Sequence, residues 1–126
     1  PKGVCLGAPA IEAVAESLQV ASVASPADRH LALLPLATLL ENLAGLYVPL
    51  LTGATTCLLP ASRIGLDGSS GVDPLAMLEA LGTNRASTAV LVPQLLQVLV
   101  SVLRAGAPRP PNLRFLALGG AARAAA

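Results

Sequence analysis

Residues 29–60, RHLALLPLATLLENLAGLYVPLLTGATTCLLP, decide the fold of this chain. An apolar run at 31–34 precedes a proline, and apolar residues then recur every three or four positions across 36–51, the spacing of a helix with one buried face. Gly53 is suited to end that helix, and a second apolar run follows at 54–59. Two apolar strands joined by a helix predict a β-α-β crossover and hence a parallel sheet.

The alternation of strand and helix patterns continues on both sides of this stretch. Short β-prone runs lie at 4–6, 87–92 and 113–118. Segments with the apolar spacing of helices lie at 9–24, 73–81 and 93–103. We therefore predict an α/β fold of β-α repeats, in which right-handed crossovers form one mostly parallel sheet with helices on both faces. A stretch rich in Gly, Ser and Asp at 60–73 is predicted to be a surface loop.

The composition indicates a chain that is covered on most sides. Of its 126 residues, 54% are hydrophobic and only 12% are charged, and the mean hydropathy is +0.71. Such a chain either spans a membrane or forms the inside of a larger α/β protein whose sheet is covered on both faces. We favour the second interpretation, because no run reaches the roughly 18 apolar residues that a spanning helix needs. Glu41 and Asn42 interrupt the best candidate, and an isolated pair of that kind is costly in hydrocarbon.

Charge and cysteine content exclude some classes of function. The net charge is +1 and the 8 basic residues are scattered singly, so no nucleic-acid surface is visible. The single Phe, the single Tyr and the absence of Trp also argue against base stacking. Cys5 and Cys57 have no CxxC spacing, and we favour two buried reduced thiols in a cytosolic protein over a disulfide. The chain begins Pro-Lys-Gly, without an initiator Met or a signal-peptide pattern, so we expect it to start inside a longer protein or after processing.

Binding sites in parallel sheets form beyond the carboxyl ends of the strands. The predicted strands end at four segments, which we expect along one edge: 35–38, 60–62, 92–94 and 119–121. In the last of these, Gly119 and Gly120 would let a flat ring approach the backbone, because no Cβ is in the way. A plain turn is the alternative, and the dinucleotide-binding pattern G-x-G-x-x-G is absent.

Three other groups of polar residues are candidates for binding or catalysis: Lys2 with Gly3, His30, and Ser69 with Ser70. Lys2 and Gly3 could form the end of a glycine-rich anion loop, with the lysine as a point charge beside phosphate, or simply a disordered terminus. His30, the only histidine, has no partner for metal or nucleophile chemistry nearby in the sequence, so we predict a solvated turn residue. Ser69 and Ser70 lie in a loop without a nearby base, so a serine hydrolase is not supported.

Together these segments resemble the adenylate-forming, AMP-binding family, which includes the fatty-acyl-CoA ligases, firefly luciferase and the adenylation domains of peptide synthetases. Residues 1–4, Pro-Lys-Gly-Val, are similar to the end of its phosphate loop. Residues 28–41 resemble its Leu-Pro-Leu-x-His-x-x-Glu segment, in the form most like the long-chain acyl-CoA ligases. Residues 53–54, 73–93 and 113–121 resemble later family segments in the family's order, so the resemblance covers essentially the whole chain.

The resemblance implies roles for residues at the predicted strand ends. Lys2 and Gly3 would lie beside the ATP phosphates. The residues of the adenine site would be Gly119, Gly120 and Ala121. The residues that face the acyl group would be Leu36, Thr38, Val92 and Pro93. No catalytic residue and no metal ligand is assigned within this chain, and Thr38 stands where the family usually has histidine.

The activity implied by the resemblance is that of an ATP-dependent acyl-CoA synthetase. Such an enzyme uses Mg²⁺, converts a long-chain fatty acid into its acyl-adenylate and transfers the acyl group to coenzyme A. We expect residues 1–126 to be a fragment of its large N-terminal domain, inactive alone because half of the phosphate loop, the Tyr-Gly-x-Thr-Glu segment and the C-terminal lysine domain are missing. A fatty acid is favoured over an amino acid, because no acidic residue near the strand ends could hold an α-ammonium group.

Two alternatives stay open: a non-catalytic or degenerate α/β module, and an adenylation domain for an amino acid. The expected partners are the small-molecule substrates, without nucleic acid and without a transmembrane segment. We expect a cytoplasmic location, with peripheral contact to a membrane left open. An open strand edge at 4–6 predicts that the isolated chain self-associates.

Overall fold

Strand β1 (Arg29–Leu31) is an inner strand of the sheet. In this computed structural model, which describes residues 3–66 and 71–119, β1 pairs in parallel with β2 (Thr55–Cys57) on one side and with β3 (Thr88–Leu91) on the other. Strand β4 (Phe115–Leu118) pairs in parallel with the other side of β3, so the strand order is β2-β1-β3-β4. The α/β fold with a mostly parallel sheet, predicted from the β-α repeats, is confirmed.

Helices connect the strands, and their ends follow the expected capping chemistry. The helical elements are α1 (Ala8–Ala21), α2 (Leu39–Asn42), a π-helical segment (Leu43–Tyr47), α3 (Val48–Thr52), a 3-10 turn (Ala61–Ile64), α4 (Pro74–Thr83) and α5 (Pro93–Arg104). Proline stands in the first turn of α1, α4 and α5, where its missing N–H has no helical partner to lose. Asp73 caps α4 by accepting a hydrogen bond of 3.1 Å from the backbone N of Ala76. Gly53 ends α3 in the left-handed conformation at φ +77°.

Side chains alternate between the two faces of the sheet, and helices cover both faces. Leu31 and Leu91 point to the face covered by α4 and α5, where they join the main core with Met77, Leu81 and Leu99. His30 and Thr88, which are neighbours in the β1–β3 pairing, point to the opposite face. That face is covered by α1, the π-helical segment and α3. Across residues 3–66 and 71–119, no helix combines the length and the hydropathy that a membrane crossing requires.

Residues 4–6 do not form the predicted strand. Val4 is 80% exposed and Leu6 is 44% exposed, and no strand in the described ranges lies beside them. A run of three residues forms a strand only where a neighbouring strand binds its backbone N–H and C=O groups. The strand edge predicted at this position is therefore not present.

Several other predicted boundaries differ from the structure. The helix predicted across 36–51 begins at Leu39, because residues 35–38 form a turn in which the Thr38 backbone N donates to the Pro35 carbonyl, and it widens into the π-helical segment at Leu43–Tyr47. Strand β1 ends at Leu31 rather than at residue 34, because the backbone N–H groups of Leu33 and Leu34 donate to a side chain instead of to a strand. The predicted surface loop at 60–73 is only partly irregular, since it contains the 3-10 turn, the buried Ile64 and an antiparallel bridge between Leu66 and Val72. Ser69 and Ser70 lie outside the described residues.

Candidate functional site

The carboxyl ends of β1, β3 and β4 form one rim of the sheet. Leu31 pairs with Ala89, and two residues further along β3 Leu91 pairs with Leu118. The chain leaves the rim at Val92 after β3 and at Gly119 after β4, and the Gly119 backbone N donates a hydrogen bond of 3.2 Å to the Leu91 carbonyl. The segments that follow these three strands are therefore neighbours, as the predicted sheet requires.

Gly119 meets the first turn of α2 at this rim. A Cβ built on Gly119 would lie 2.5 Å from Cδ2 of Leu40, so only a bare Cα lets the two residues approach unless Leu40 rotates. Leu40 comes two residues after Thr38, so its contact with Gly119 places the segment that follows β1 next to the end of β4. The missing Cβ at Gly119 thus serves the packing of Leu40, and its role toward an adenine ring stays a prediction.

The structure describes six of the nine predicted site residues. The rim holds five of them, all half-buried: Leu36, Thr38, Val92, Pro93 and Gly119. Gly3 is exposed in the segment before α1, and a Cβ built on it would have open space around it. Lys2, Gly120 and Ala121 lie outside the described residues. The roles of all these residues toward ATP or an acyl group remain predictions.

An apolar groove opens beside the carboxyl ends of β1 and β2, next to the rim. It has a volume of about 340 Å³ and adjoins Leu36. The side chains that line it are all apolar: Ala32, Leu33, Leu34, Pro35, Leu36, Leu58, Leu59, Ala61, Ile64 and Leu66. A groove without a single polar or charged side chain suits a hydrocarbon chain and offers nothing to hold a charged group.

A buried carboxylate ties the segment after β1 to α2. Glu41 is 0% exposed. Its Oε1 accepts hydrogen bonds from the backbone N of Leu33 at 2.9 Å and of Leu34 at 3.1 Å. Its Oε2 lies 2.6 Å from Nε2 of His30. Both carboxylate oxygens are therefore engaged, and buried backbone donors that would otherwise lack partners are satisfied.

His30 was predicted to be a solvated turn residue, and that prediction is wrong. The residue is 3% exposed because it lies within β1 rather than before it. Its Nδ1 lies 2.9 Å from Oγ1 of Thr88 and its Nε2 faces Glu41. With the hydrogen on Nε2, the ring donates to Glu41 and Nδ1 accepts from the Thr88 hydroxyl. Pairing of both nitrogens removes most of the cost of burying an imidazole.

The π-helical segment closes over this pair. A Cβ on Gly45 would lie 3.0 Å from Oε2 of Glu41 and 3.1 Å from the ring of His30. Pro49 has no N–H to donate to the carbonyl of Gly45 four residues earlier, and Thr56 Oγ1 donates to that carbonyl instead at 2.6 Å. The widened turn and the glycine thus place helical backbone directly against the buried pair.

Asn42 adds a second tie to the same segment. Its side-chain Nδ2 donates to the carbonyl of Leu36 at 3.0 Å, and its backbone N donates to the carbonyl of Thr38 at 2.9 Å. The backbone N of Thr38 in turn donates to the carbonyl of Pro35 at 2.9 Å. Glu41 and Asn42, two adjacent residues, therefore hold the segment 33–38 at both of its ends.

An ion pair joins the opposite, amino-terminal edge of the sheet. Arg114 Nε lies 3.0 Å from Oδ1 of Asp28 and Nη2 lies 2.5 Å from Oδ2. Asp28 Oδ1 also accepts from Ser87 Oγ at 2.7 Å, and Arg114 Nη1 donates to the Ser22 carbonyl at 2.6 Å. The pair thus ties the end of α1 to the segments that precede β1, β3 and β4. No pattern in the sequence indicates this ion pair, because its two members are 86 residues apart and each only precedes a predicted strand.

This environment changes the ionisation of Asp28. Burial alone would raise the pKa of Asp28, but hydrogen bonds from Arg114, Ser87 and the Ser25 backbone outweigh it, so the pKa lies below its usual value. The hydrogen bond to Asp28 raises the pKa of Arg114. The Asp28 carboxylate of the folded protein is therefore ionised at neutral pH. It stabilises the edge of the sheet opposite to the rim.

The cysteines in the described part of the chain lie apart from each other. Cys5 and Cys57 are both free thiols, but the prediction that they are buried is wrong, since Cys5 is exposed in the segment before α1 and Cys57 is half-buried at the end of β2. Cys57 Sγ lies 3.3 Å from Nη2 of Arg29. Among residues 3–66 and 71–119, no three His, Cys, Asp or Glu side chains come together as metal ligands would.

Comparison with known proteins identifies relatives of this chain. Residues 1–126 match the family model of AMP-binding enzymes. The chain is 39% identical over 71 residues to the fatty acid–[acyl-carrier-protein] ligase MmaC of Mycobacterium marinum. The same identity over the same length holds for the medium/long-chain-fatty-acid–[acyl-carrier-protein] ligase FadD10 of Mycobacterium tuberculosis. Each alignment covers 56% of this chain and 13% of the relative, so the chain spans a small part of these ligases.

Solved structures show the same fold. The structure of VinN in complex with L-aspartate matches with a TM-score of 0.64 at 21% sequence identity, covering 89% of this chain and 25% of that one. The structure of VinN alone matches with a TM-score of 0.64 at 20% identity, covering 89% of this chain and 24% of that one. At this level of identity the likeness concerns the fold.

Proposed function

This chain belongs to the AMP-binding enzyme family, and from that premise we propose that it is part of a ligase that activates a long-chain fatty acid and transfers it to coenzyme A. In the first step the fatty-acid carboxylate attacks the α-phosphate of ATP, forming the acyl-adenylate and releasing pyrophosphate. In the second step the thiol sulfur attacks the acyl carbon, and AMP leaves while the thiol proton passes to solvent. Residues 1–126 form one portion of the N-terminal domain in this proposal.

The observation that supports a fatty acid is the apolar groove beside Leu36. A hydrocarbon chain lying there gains about 0.8 kcal/mol for each CH₂ group removed from water. An amino-acid substrate would need a free carboxylate for its α-ammonium group, and the groove is lined only by apolar side chains. The nearby carboxylate of Glu41 is already bound to Leu33, Leu34 and His30. The groove therefore favours the fatty acid over an amino acid.

The nucleotide site is proposed at the other half of the rim. Gly119, Gly120 and Ala121 would contact the adenine, and Lys2 with Gly3 would lie beside the phosphates, where a lysine ammonium acts as a point charge. Leu36, Thr38, Val92 and Pro93 would contact the acyl group. The partly exposed positions of Thr38, Val92 and Gly119 on one rim support this division.

Magnesium is implied by the family, but the described residues of this chain do not fit it. Glu41 is buried and fully engaged, Asp28 is bound to Arg114 at the opposite edge, and Asp73 caps α4. Glu12 and Glu16 on α1 and Glu79 on α4 are exposed, and among residues 3–66 and 71–119 no three possible ligands come together.

The identity of the thiol acceptor can be tested directly. The resemblance to long-chain acyl-CoA ligases supports coenzyme A, whereas the relatives at 39% identity are named as ligases for an acyl carrier protein. We propose coenzyme A as the acceptor and the carrier protein as the second candidate. Transfer assays with each acceptor, after adenylate formation with palmitate, separate the two.

The thiols and the sheet edges bear on location and association. We propose a cytoplasmic protein, supported by two free thiols, with peripheral membrane contact as a further possibility. We also propose that the isolated chain self-associates. The outer edges of β2 and β4 support self-association, because they have no neighbouring strand in the described part of the chain. A single monomeric species in sedimentation experiments would contradict self-association.

ATP–pyrophosphate exchange tests the proposed function. The assay uses the full-length polypeptide that carries this chain, with long-chain fatty acids, acetate and the amino acids offered separately. Exchange that is strongest with long-chain fatty acids is expected. Exchange with amino acids alone would support the amino-acid alternative, and no exchange with any carboxylate would support the degenerate module.

A further inference from the structure

We infer that Glu41 is a positioning residue for the acyl half of the rim, held in place by His30 and acting through the backbone of the segment 33–38. This inference rests on the proposed function, since the segment contains Leu36 and Thr38. Glu41 does not touch the proposed substrate. Its effect passes through Leu33 and Leu34, whose backbone N–H groups both donate to its Oε1.

The carboxylate of Glu41 sets the end of β1. Leu33 and Leu34 could continue the strand only if their N–H groups faced a neighbouring strand. They donate to Glu41 instead, at 2.9 Å and 3.1 Å, so the chain leaves the sheet and turns through Pro35 toward Leu36. The carboxylate therefore determines where the strand stops and where the rim segment begins.

His30 and Thr88 fix the orientation of the Glu41 carboxylate. Oε2 is fixed by His30 Nε2 at 2.6 Å, and His30 is fixed by Thr88 through Nδ1 at 2.9 Å. Thr88 belongs to β3, the strand that ends at Leu91 and is followed directly by Val92. The chain of contacts Thr88, His30, Glu41 thus connects the strand behind Val92 and Pro93 with the segment that carries Leu36 and Thr38.

The π-helical segment is held close to Glu41 and His30. Gly45 packs against both Glu41 and His30, and Thr56 from β2 binds the Gly45 carbonyl. Three strands therefore hold one carboxylate against the turn. A well-packed apolar side chain could occupy the same volume, but it could not accept from two backbone N–H groups.

The variants Glu41→Leu and Glu41→Gln separate positioning from general stability. Leucine fills the space and accepts no hydrogen bond, whereas glutamine keeps a carbonyl oxygen for Leu33 and Leu34 and can donate to His30 in its other tautomer. Glu16→Gln, at an exposed position on α1, is the matched control for loss of a carboxylate. Hydrogen exchange at the Leu33 and Leu34 amides, and KM for palmitate and for ATP, are measured in the full-length polypeptide.

For Glu41→Leu we expect amide exchange at Leu33 and Leu34 to quicken about tenfold, with KM for palmitate raised about tenfold and KM for ATP changed less than about twofold. Glu41→Gln is expected to restore both to within about threefold of wild type, and Glu16→Gln to change neither. Unchanged exchange in Glu41→Leu, or an equal rise of both KM values, would overturn the inference.

If Glu41→Leu does not fold, Thr88→Val decides the matter, because it removes only the hydroxyl that fixes His30. Exchange at Leu33 and Leu34 about threefold faster supports the inference, and unchanged exchange overturns it. The exchange readout does not depend on substrate. Absence of ATP–pyrophosphate exchange in the wild-type protein would therefore defeat the proposed function without deciding whether Glu41 positions the turn.

Discussion

Leu40 packs onto the bare Cα of Gly119, and a Cβ at that position would lie 2.5 Å from the Leu40 Cδ2 atom. This contact links the start of α2 with the end of β4, across the rim that we propose for the nucleotide and the acyl group. The two residues are 79 positions apart in the sequence, so the contact reports directly on the assembled sheet.

Gly119→Ala is expected to destabilise the protein, since the added methyl must displace Leu40. The expected loss in the free energy of unfolding is about 1–2 kcal/mol, measured by urea denaturation. The double variant Leu40→Ala with Gly119→Ala tests the cause, because the smaller residue at 40 makes room for the methyl. If the two changes were simply additive, the contact would not be the reason for the loss.

Asp28 gives the protein a defined response to acid. Because the pKa of Asp28 is lowered by folding, its contribution to stability is present above about pH 4, the range where the unfolded carboxyl is ionised, and is lost as the pH falls through the lower folded value. Asp28→Asn should therefore reduce the pH dependence of the free energy of unfolding below about pH 4.

The control for this experiment is Glu79→Gln, at an exposed position on α4. Its profile of unfolding free energy against pH should follow wild type. An Asp28→Asn profile that keeps the full wild-type slope in acid would show that other groups cause the acid sensitivity.

Removal of His30 should be among the most damaging single changes. His30→Ala leaves Oε2 of the fully buried Glu41 without its donor, and the expected cost is about 3 kcal/mol in the free energy of unfolding. The measurement is urea unfolding at neutral pH. A cost below about 1 kcal/mol is typical of exposed ion pairs, and it would mean that the buried pair contributes little.

Leu36→Asp tests the apolar groove as the place of the fatty-acid tail. A carboxylate in the groove opposes burial of methylene groups, so we expect kcat/KM for palmitate to fall at least about tenfold more than kcat/KM for butyrate. Val20→Asp is the matched control, because Val20 is 78% exposed on α1 and away from the rim. Equal losses for the two acids in Leu36→Asp would remove the groove from the acyl site.

Much of the fold could be predicted from local patterns in the sequence. Apolar spacing between 36 and 51, Gly53 as a stop and Pro93 as a helix start are local signals. The structure has helical backbone from Leu39 to Thr52, with a π-helical segment inside it, and it confirms the stop at Gly53 and the start at Pro93. The rim followed from the same reasoning, because the carboxyl ends of parallel strands must lie together. The apolar pattern therefore predicts the order of the elements and the edge of the sheet at which the segments after the strands come together.

Interactions between distant residues could not be predicted in this way. His30 looked like a solvated residue because its two partners, Thr88 and Glu41, come from β3 and from α2 and are not recognisable as its neighbours in sequence. The end of β1 was misplaced for the same reason, since apolar Leu33 and Leu34 resemble strand residues until the carboxylate that binds their backbone is known. Residues 4–6 have strand-like side chains, but a strand also needs a neighbour.

Gly45 and Gly82 both lie in helical backbone, yet alanine would affect them in opposite directions. Alanine has the higher helix propensity by about 1 kcal/mol, and at Gly82 a Cβ would have open space around it. At Gly45 the same methyl group would press on the oxygen of Glu41 and on the imidazole of His30. A thermostabilisation library that replaces glycines in helices should therefore enrich alanine at Gly82 and deplete it at Gly45. Intolerance to the smallest possible enlargement then marks the place where the π-helical segment is held to the sheet.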